Sequence, residues 1–384
     1  MFSFLWQLRH SRTSMNATKA YLIHLLRTAD VNVNGSRPWD LQVHNDRVFE
    51  RTLAHGSLGF GESYMDGWWD CDAMDEMLTR VFNSDIDARV QNWRTLLFVL
   101  WARLRNAQRK SKAFEIGERH YDVGNDLYQA MLDPRMTYTG GYWHEATTLA
   151  QAQEAKLDLV CRKIGLKPGM RVLDIGCGWG SFAIFAAQRY GVEVLGITVS
   201  REQVTLARER GRGLPVEFLL QDYREVQGSF DAIVSLGMFE HVGYKNYRTY
   251  IETVHRLLPP HGLFLLHTIG RNSSVHSNDP WIDTYIFPNS MLPSIEQIGG
   301  SIEGLFVMED WHNFGPDYDK TLQQWYANVE RAWPHLGDRY NERFQRMWKF
   351  YLLSSAATFR SRRNQLWQVV LSKGGLPQGY APIR

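Results

Sequence analysis

The stretch Val172-Leu-Asp-Ile-Gly-Cys-Gly-Trp-Gly180 decides the fold: an apolar strand pattern runs into three alternating glycines and then into an apolar helical pattern. That order reads as strand, tight turn and helix N-terminus. Gly176, Gly178 and Gly180 lack Cβ atoms, so the backbone can turn sharply and let a ligand lie against it, while the helix start offers unpaired N–H groups. The spacing is G-x-G-x-G, not the G-x-G-x-x-G of dinucleotide sites. Asp174 precedes the first glycine, where a carboxylate repels pyrophosphate but can orient a cation or an amine. The turn therefore suits a sulfonium cofactor better than NAD.

Working outward, a helical pattern from Leu149 to Gly165 and the turn Lys167-Pro-Gly169 lead into this strand. Strand and helix patterns then alternate: Glu193 to Thr198, Arg201 to Arg210, Val216 to Leu220, Asp231 to Leu236, Tyr247 to Leu257, and Leu263 to Ile269. The alternation predicts a mostly parallel α/β sheet with helices on both faces, which binds ligands at the carboxyl ends of its strands. Candidate reactive groups fall at those ends. Thr198 and Gln203 follow the second strand with no acid for a ribose, so they are expected to hydrogen-bond the cofactor themselves. Gln221-Asp222-Tyr223-Arg224 follows the third strand and can bracket an adenine. Gly237-Met-Phe-Glu-His-Val-Gly243 puts Glu240 and His241 at the mouth of the fourth, and His267-Thr-Ile269 ends the fifth. Singly, each is an ordinary structural residue; their common location argues for a site. Metal binding is the weaker reading, because no H-x-x-H or H-x-x-x-H pair occurs among them. Trp281, Tyr285, Ile286, Phe287, Met291 and Leu292 form an apolar, aromatic stretch between Asp279 and Pro293, where this fold carries its acceptor-binding insertion. A greasy acceptor is expected.

The 384 residues are 44% hydrophobic and 22% charged, which describes a globular chain long enough for two domains. A formal charge of +2 gives no global field that demands nucleic acid, so an anionic partner must be met by local patches. Cys71, Cys161 and Cys177 form no C-x-x-C pair and point to a reducing compartment. Met1 to Arg12, with Phe2, Phe4, Leu5, Trp6 and Leu8 broken by polar residues, is neither a signal peptide nor a membrane span; it reads as a terminus, with an interfacial position as the alternative. Ala17 to Ala29 and Arg47 to Ala54 have helical spacing, and Asp40 to Asn45 alternates like an edge strand. Gly56-Ser-Leu-Gly-Phe-Gly-Glu-Ser-Tyr-Met-Asp-Gly-Trp-Trp69 mixes glycines with aromatics and suits either a packed seam or a lipid-facing surface. Asn92 to Leu104 is helical, and Arg103, Arg105, Arg109, Lys110 and Lys112 follow as a basic run that is either a solvated face or a contact for lipid phosphates. The domain boundary is placed there, giving 1–110 as a small, mainly helical domain and 111–384 as the catalytic one. His120 to Tyr128 and Tyr138 to Trp143 read as loops able to cover a cofactor.

The glycine stretch resembles the first motif of class I S-adenosylmethionine (SAM) methyltransferases. Nearly the whole chain is similar to the cyclopropane-fatty-acyl-phospholipid synthase family, and its catalytic part to the mycolic acid cyclopropane synthases. The matching stretches are Gly56 to Trp69, His120 to Tyr128, Val172 to Gly180, Gly237 to Gly243, Leu265-Leu-His-Thr-Ile-Gly270, Tyr285-Ile-Phe-Pro288 and Glu309-Asp-Trp-His-Asn-Phe-Gly315. The resemblance implies a Rossmann-like, mostly parallel seven-stranded sheet with a lipid-docking N-terminal domain. It implies SAM contacts at Tyr138, Thr139, Val172, Asp174, Gly176, Cys177, Gly178, Trp179, Gly180, Thr198, Ser200, Gln203, Tyr223 and Arg224. It further implies a bicarbonate held by Glu240, His267, the Ile269 main chain and Tyr318, with position 140 completing the cage. Its partners would be unsaturated phospholipid acyl chains, met by a cytoplasmic protein peripheral on the inner face of the cell membrane, with room for a homodimer.

Two positions depart from the family. Relatives read Tyr-Ser-Cys-Ala-Tyr where this chain has Tyr138-Thr-Gly-Gly-Tyr142, and Ser355 replaces a cysteine near the C-terminal helix. Gly140 preserves a main-chain contact, whereas a thiol role there would be lost; Ser355 is expected to matter little, since the implied mechanism has no covalent nucleophile. In that mechanism an alkene attacks the sulfonium methyl, and a base then deprotonates the new methyl so that the ring closes. Tyr247, Tyr285, Phe287 and Tyr318 are candidates for an aromatic pocket that favours positive charge. The alternatives are a lipid C-methyltransferase that leaves the ring open, or a lipid-binding protein without catalysis.

Overall fold

Two short strands, β1 (Gln42–Val43) and β2 (Trp69–Asp70), pair antiparallel and bracket the helix Arg47–Met65. The computed structural model describes residues 19–84, 86 and 124–384, and these fall into two compact units. The first unit joins the described residues before 87 to Asp279–Ile286 and Gly337–Arg363. Met1 to Arg12, the helix expected over 92–104, the basic run from Arg103 to Lys112 and the boundary near 110 lie outside the described residues.

The helix expected to stop at Ala54 runs on to Met65, because Gly56 takes φ 60° and ψ −135° and lets one helix follow another across a kink. The glycine-aromatic run is thus mostly helical, and it is core: Trp69 is fully buried and Tyr64 2% exposed. Phe60 stacks on Trp69 at 4.4 Å, and Phe350, from the helix Glu342–Arg360, packs against Phe60, Tyr64 and Trp69. This corrects the lipid-facing reading of the run, since rings of this size gain most by leaving water. Trp281, on the helix Pro280–Tyr285, packs on Phe350 at 4.7 Å, and a Cβ at Gly61 would lie 2.5 Å from its ring. The aromatic insertion therefore divides: Trp281 and Tyr285 belong to the first unit, Phe287 and Met291 to the second.

The second unit is built on a seven-stranded sheet of β3 (Arg171–Ile175), β4 (Glu193–Thr198), β5 (Val216–Leu220), β6 (Ala232–Leu236), β7 (Leu263–Arg271), β8 (Val307–Asn313) and β9 (Asn364–Ser372), in the order 5-4-3-6-7-9-8. The pairs from β5 to β7 are parallel, while β9 runs antiparallel between β7 and β8. This is the expected mostly parallel α/β class. Alternate residues of β3 face opposite sides: Leu173 and Ile175 join a cluster with Tyr250 and Val254, whereas Val172 joins Phe182, Phe185 and Val194. Helices Leu149–Lys163, Ser181–Tyr190 and Arg201–Arg210 cover the second face, and Tyr247–Leu257 and Ile295–Ile302 the first. Order reverses at β3, whose two neighbours, β4 and β6, leave a crevice at their carboxyl ends.

Candidate active site

The glycine turn forms the floor of a cavity in that crevice. Gly176, Gly178 and Gly180 all have positive φ (84°, 54° and 82°), which only glycine adopts freely. A Cβ at Gly176 would press on Met238 at 2.6 Å, whereas a Cβ at Gly178 would meet nothing within 4 Å and point into open space. The cavity is lined by Tyr138, Thr139, Asp174, Gly176, Cys177, Gly178, Trp179, Thr198, Gln203, Tyr223 and Arg224, and by Asp222 and His241. Thr198 donates its hydroxyl to Gln203 Oε1 at 2.8 Å, so the two form one unit at the end of β4. The Arg224 guanidinium lies over the Tyr223 ring at 4.9 Å, a flat wall for a base. Three expected contacts are not in the lining. Val172, within β3, is buried in the core beneath Ser181–Tyr190, Gly180 caps the helix Ser181–Tyr190, and Ser200 caps Arg201–Arg210 by accepting from Gln203 N at 3.3 Å. They shape backbone around the cavity rather than its surface.

The loop from Tyr138 is pinned from beneath by a residue that sequence reasoning missed. Lys156 is fully buried, lines the cavity and donates to Thr139 Oγ1 at 2.7 Å, and Gln153 Nε2 donates to Thr139 O at 2.7 Å. Burial pulls the Lys156 ammonium down to about 7 against the attraction of Asp133 and Asp174, and pushes the Asp174 carboxyl up to about 7 against that of Lys156. The signal was there as Gln153 and Lys156, one turn apart on the otherwise apolar face of the helix Leu149–Lys163. Asp174 Oδ2 and Tyr223 Oη are buried without a partner among the described residues. An acceptor beneath the turn and an aromatic hydroxyl beside a flat cation suit an amino-acid moiety and an adenosine, so the lining fits SAM.

A second set stands beside this cavity. Glu240, in the 3-10 turn Phe239–His241, accepts from the Ile269 backbone N–H at 2.7 Å through Oε1, and its own carbonyl accepts from Met291 N at 2.8 Å. Ile269 thus enters the site by fixing Glu240. His267 precedes Ile269 by two residues on β7 and shares its face; Gly237 N donates to its carbonyl at 2.9 Å. Ile269 pairs across the ladder with Leu366, and a Cβ at Gly140 would lie 2.6 Å from Leu366 Cδ2 and 3.1 Å from Tyr318 Cγ. Gly140 therefore lies close to both Tyr318 and Leu366, and Leu366 is paired with Ile269, whose N–H holds Glu240. Burial raises the Glu240 carboxyl to about 7, opposed by the Ile269 N–H, and lowers His241 to about 4. Glu240 Oε2 and both His267 ring nitrogens are buried without a partner among the described residues.

Aromatic rings flank the set: Tyr138 meets Tyr128, Trp179, Trp325 and Phe287 at 5.1 to 6.5 Å, and Tyr318 meets Trp325 edge-on at 5.8 Å. Of the four aromatics expected around the acceptor, Phe287 and Tyr318 belong here. Tyr247 stacks on Phe239 in the core, and Tyr285 donates to Glu62 in the first unit. Trp325 was not foreseen. Ser355 lies on the helix Glu342–Arg360 of the first unit, outside this set.

Residues 108–369 match the family model for mycolic acid cyclopropane synthetase. The chain belongs to that family. It is 53% identical over 91% of its length, and 92% of the relative's, to the cyclopropane-fatty-acyl-phospholipid synthase of Escherichia coli strain K12. Among solved structures it is similar to the cyclopropane synthase MmaA2 from Mycobacterium tuberculosis, with a TM-score of 0.64 and 31% identity over 68% of this chain and 98% of that one. It is likewise similar to the mycolic acid cyclopropane synthase CmaA1 complexed with SAH and CTAB, with a TM-score of 0.63 and 32% identity over the same shares.

Two outcomes follow from this geometry. Gly178→Val adds a strained, branched residue that points into the cavity, so SAM affinity measured by calorimetry should fall at least about tenfold, an effect of 1.4 kcal/mol or more. Unchanged affinity in a folded variant would remove the turn from the cofactor site. Glu240 binds its proton more tightly folded than unfolded, so wild type should lose stability relative to Glu240→Gln as pH rises from about 4.5 to about 7. Denaturant titrations should show a gap growing to at most about 3 kcal/mol; a gap independent of pH would mean that Glu240 is not held in this environment.

Proposed function

We infer that this chain is a SAM-dependent methyltransferase that converts cis double bonds of unsaturated acyl chains in membrane phospholipids to cyclopropane rings. The observation that carries the reading is the adjacency of the cofactor cavity and the Glu240–Ile269–His267 set at the ends of β6 and β7, in a chain of this family. When bound, SAM supplies an electrophilic methyl on its sulfonium. A neutral alkene is a weak nucleophile, so the protein must orient it and tolerate the cation that forms. Tyr138, Phe287, Trp325 and Tyr318 offer ring faces to positive charge in a site shielded from water. Ring closure then requires a base aimed at the new methyl. Bicarbonate, held by Glu240 Oε2, His267, Gly140 and Tyr318, with the Ile269 N–H fixing Glu240 from behind, would supply that base. Support for an anion comes from the orphaned His267 nitrogens and from Lys156 and Lys163, whose charges both act on His267. Gly140 leaves room for a main-chain contact where the relatives have a thiol, and Leu366 would have to shift to admit a cysteine there.

Lipid mass analysis after incubation with unsaturated phospholipid and SAM tests the reading. The expected product gains CH2 and loses the alkene, and Glu240→Gln should make it roughly 10²- to 10⁴-fold more slowly. A methylated product that keeps its alkene would make this a C-methyltransferase, and no product at all would leave a lipid-binding protein.

The acyl substrate lies in a bilayer, and no described helix is long and apolar enough to cross one. The enzyme docks peripherally on the inner face of the membrane, with the run Arg103 to Lys112 as its cationic contact. Vesicle sedimentation should show binding to anionic liposomes that weakens with salt; equal binding to zwitterionic vesicles at low salt would take the basic run out of docking.

A further inference from the structure

The polar residues beside His267 on the sheet have no part in methyl transfer or in holding the base. His267 in β7 is paired with Gln368 in β9, and Gln368 is paired in turn with His312 in β8. Opposed residues of antiparallel strands project to one face with Cβ atoms about 4.5–5.5 Å apart, so the three side chains form a line across three strands. Beyond His312 the line is continued by ions. Lys163 Nζ lies 3.1 Å from His312 Nδ1 and 3.4 Å from Asp310 Oδ2, and Arg384, an exposed residue, pairs with Asp310 at 2.6 Å. The row thus leads from a fully buried imidazole to the surface.

Its inner half is polar and unpartnered. Both nitrogens of His267 and both amide atoms of Gln368 are buried and meet no hydrogen-bond partner among the described residues. An orphaned buried polar group costs about 1–3 kcal/mol, so the two Gln368 amide atoms and the His267 nitrogen that does not serve the base call for bound water between the two side chains. Burial first, then Lys156, Lys163 and His312, push the His267 imidazole well below its ordinary range. A neutral ring has one lone pair and one N–H, which lets it accept a proton on one side and release one on the other.

We propose that His267, Gln368 and His312, bridged by water, conduct to solvent the proton that ring closure releases, with Gln368 acting as a positioning residue. The inference rests on the reading that the ring closes by deprotonation. The C–H bond of the new methyl breaks, its electron pair becomes the last ring bond, and the proton goes to the base. The base regains its starting form by protonating the lone pair of His267. The other nitrogen of His267 passes its proton to water held by Gln368, and from there to His312 and solvent. Gln368 does not titrate; its amide both donates and accepts, so it fixes the water beside the His267 ring.

Gln368→Met is the test, because it keeps length and removes the amide. An unpartnered buried amide without a function would be replaced at no cost, with the melting temperature unchanged or raised. The row predicts a kcat for cyclopropane formation lowered about ten- to a hundredfold, the usual scale for groups that orient a reacting ring. KM for SAM and phospholipid should stay within about twofold, and the solvent deuterium isotope effect on kcat should increase. Gln368→Glu, which again holds water, should recover part of the rate, and His312→Phe should slow turnover in the same way. Wild-type kcat and isotope effect in Gln368→Met would overturn the proposal, as would a loss confined to KM. Absence of cyclopropane from the wild-type protein would instead overturn the functional reading beneath it.

Discussion

The second unit depends on the reversal of strand order at β3. Because β3 is hydrogen-bonded in parallel to both β4 and β6, the connections on its two sides must leave by opposite faces, with Ser181–Tyr190 and Arg201–Arg210 packed on one and Tyr247–Leu257 on the other. The loops then diverge above β3, and the opening between them cannot be filled by a helix. Both chemical sets hang on that opening. The glycine turn supplies the floor, and the ends of β6 and β7 bring Gly237, Glu240 and His267 to its edge.

Occupying such a place means burying charge. Asp174, Lys156, Glu240 and His267 are each at most 7% exposed, and burial shifts each toward its neutral form. Apolar residues of the same volume often serve a core as well or better. The protein limits the cost by pairing: Lys156 sits near Asp174, and Glu240 Oε1 takes the Ile269 N–H. The atoms left over, Glu240 Oε2 and the His267 nitrogens, stay buried without a partner among the described residues.

The central strands were legible because they are continuous apolar runs, and β4, β5 and the helices Arg201–Arg210 and Tyr247–Leu257 fall where periodicity puts them. β8 and β9 were not. β8 is an edge strand with mostly exposed or half-exposed residues, and β9 carries Gln365 and Gln368 inside an otherwise apolar run, so neither has a clean two-residue period. The glycine turn and the residues at the strand ends could be read as local motifs. Lys156 left a trace, a polar pair with Gln153 on an apolar helix face, but its partner Thr139 did not show, and Trp325 left none because it matters through Tyr138, far away in sequence. The helix beyond Gly56 was missed for the opposite reason: glycine normally ends a helix, and here a second helix follows the kink at Gly56, leading to Tyr64 and Trp69 packed on Phe350.

That packing has a bearing on how the chain is made. The first unit draws Trp281 and Phe350 from segments more than two hundred residues beyond the strand that holds Trp69. A nascent chain emerges from its N-terminus, so Phe60, Tyr64 and Trp69 are synthesised long before the side chains that cover them. Until the helix Glu342–Arg360 has left the ribosome, this unit has an open aromatic face, and closing it requires contacts between residues far apart in sequence, which form slowly. The sheet of the second unit can begin to form around β3, β4 and β5 while that face is still waiting. The part of the molecule that begins the sequence is therefore among the last to be completed.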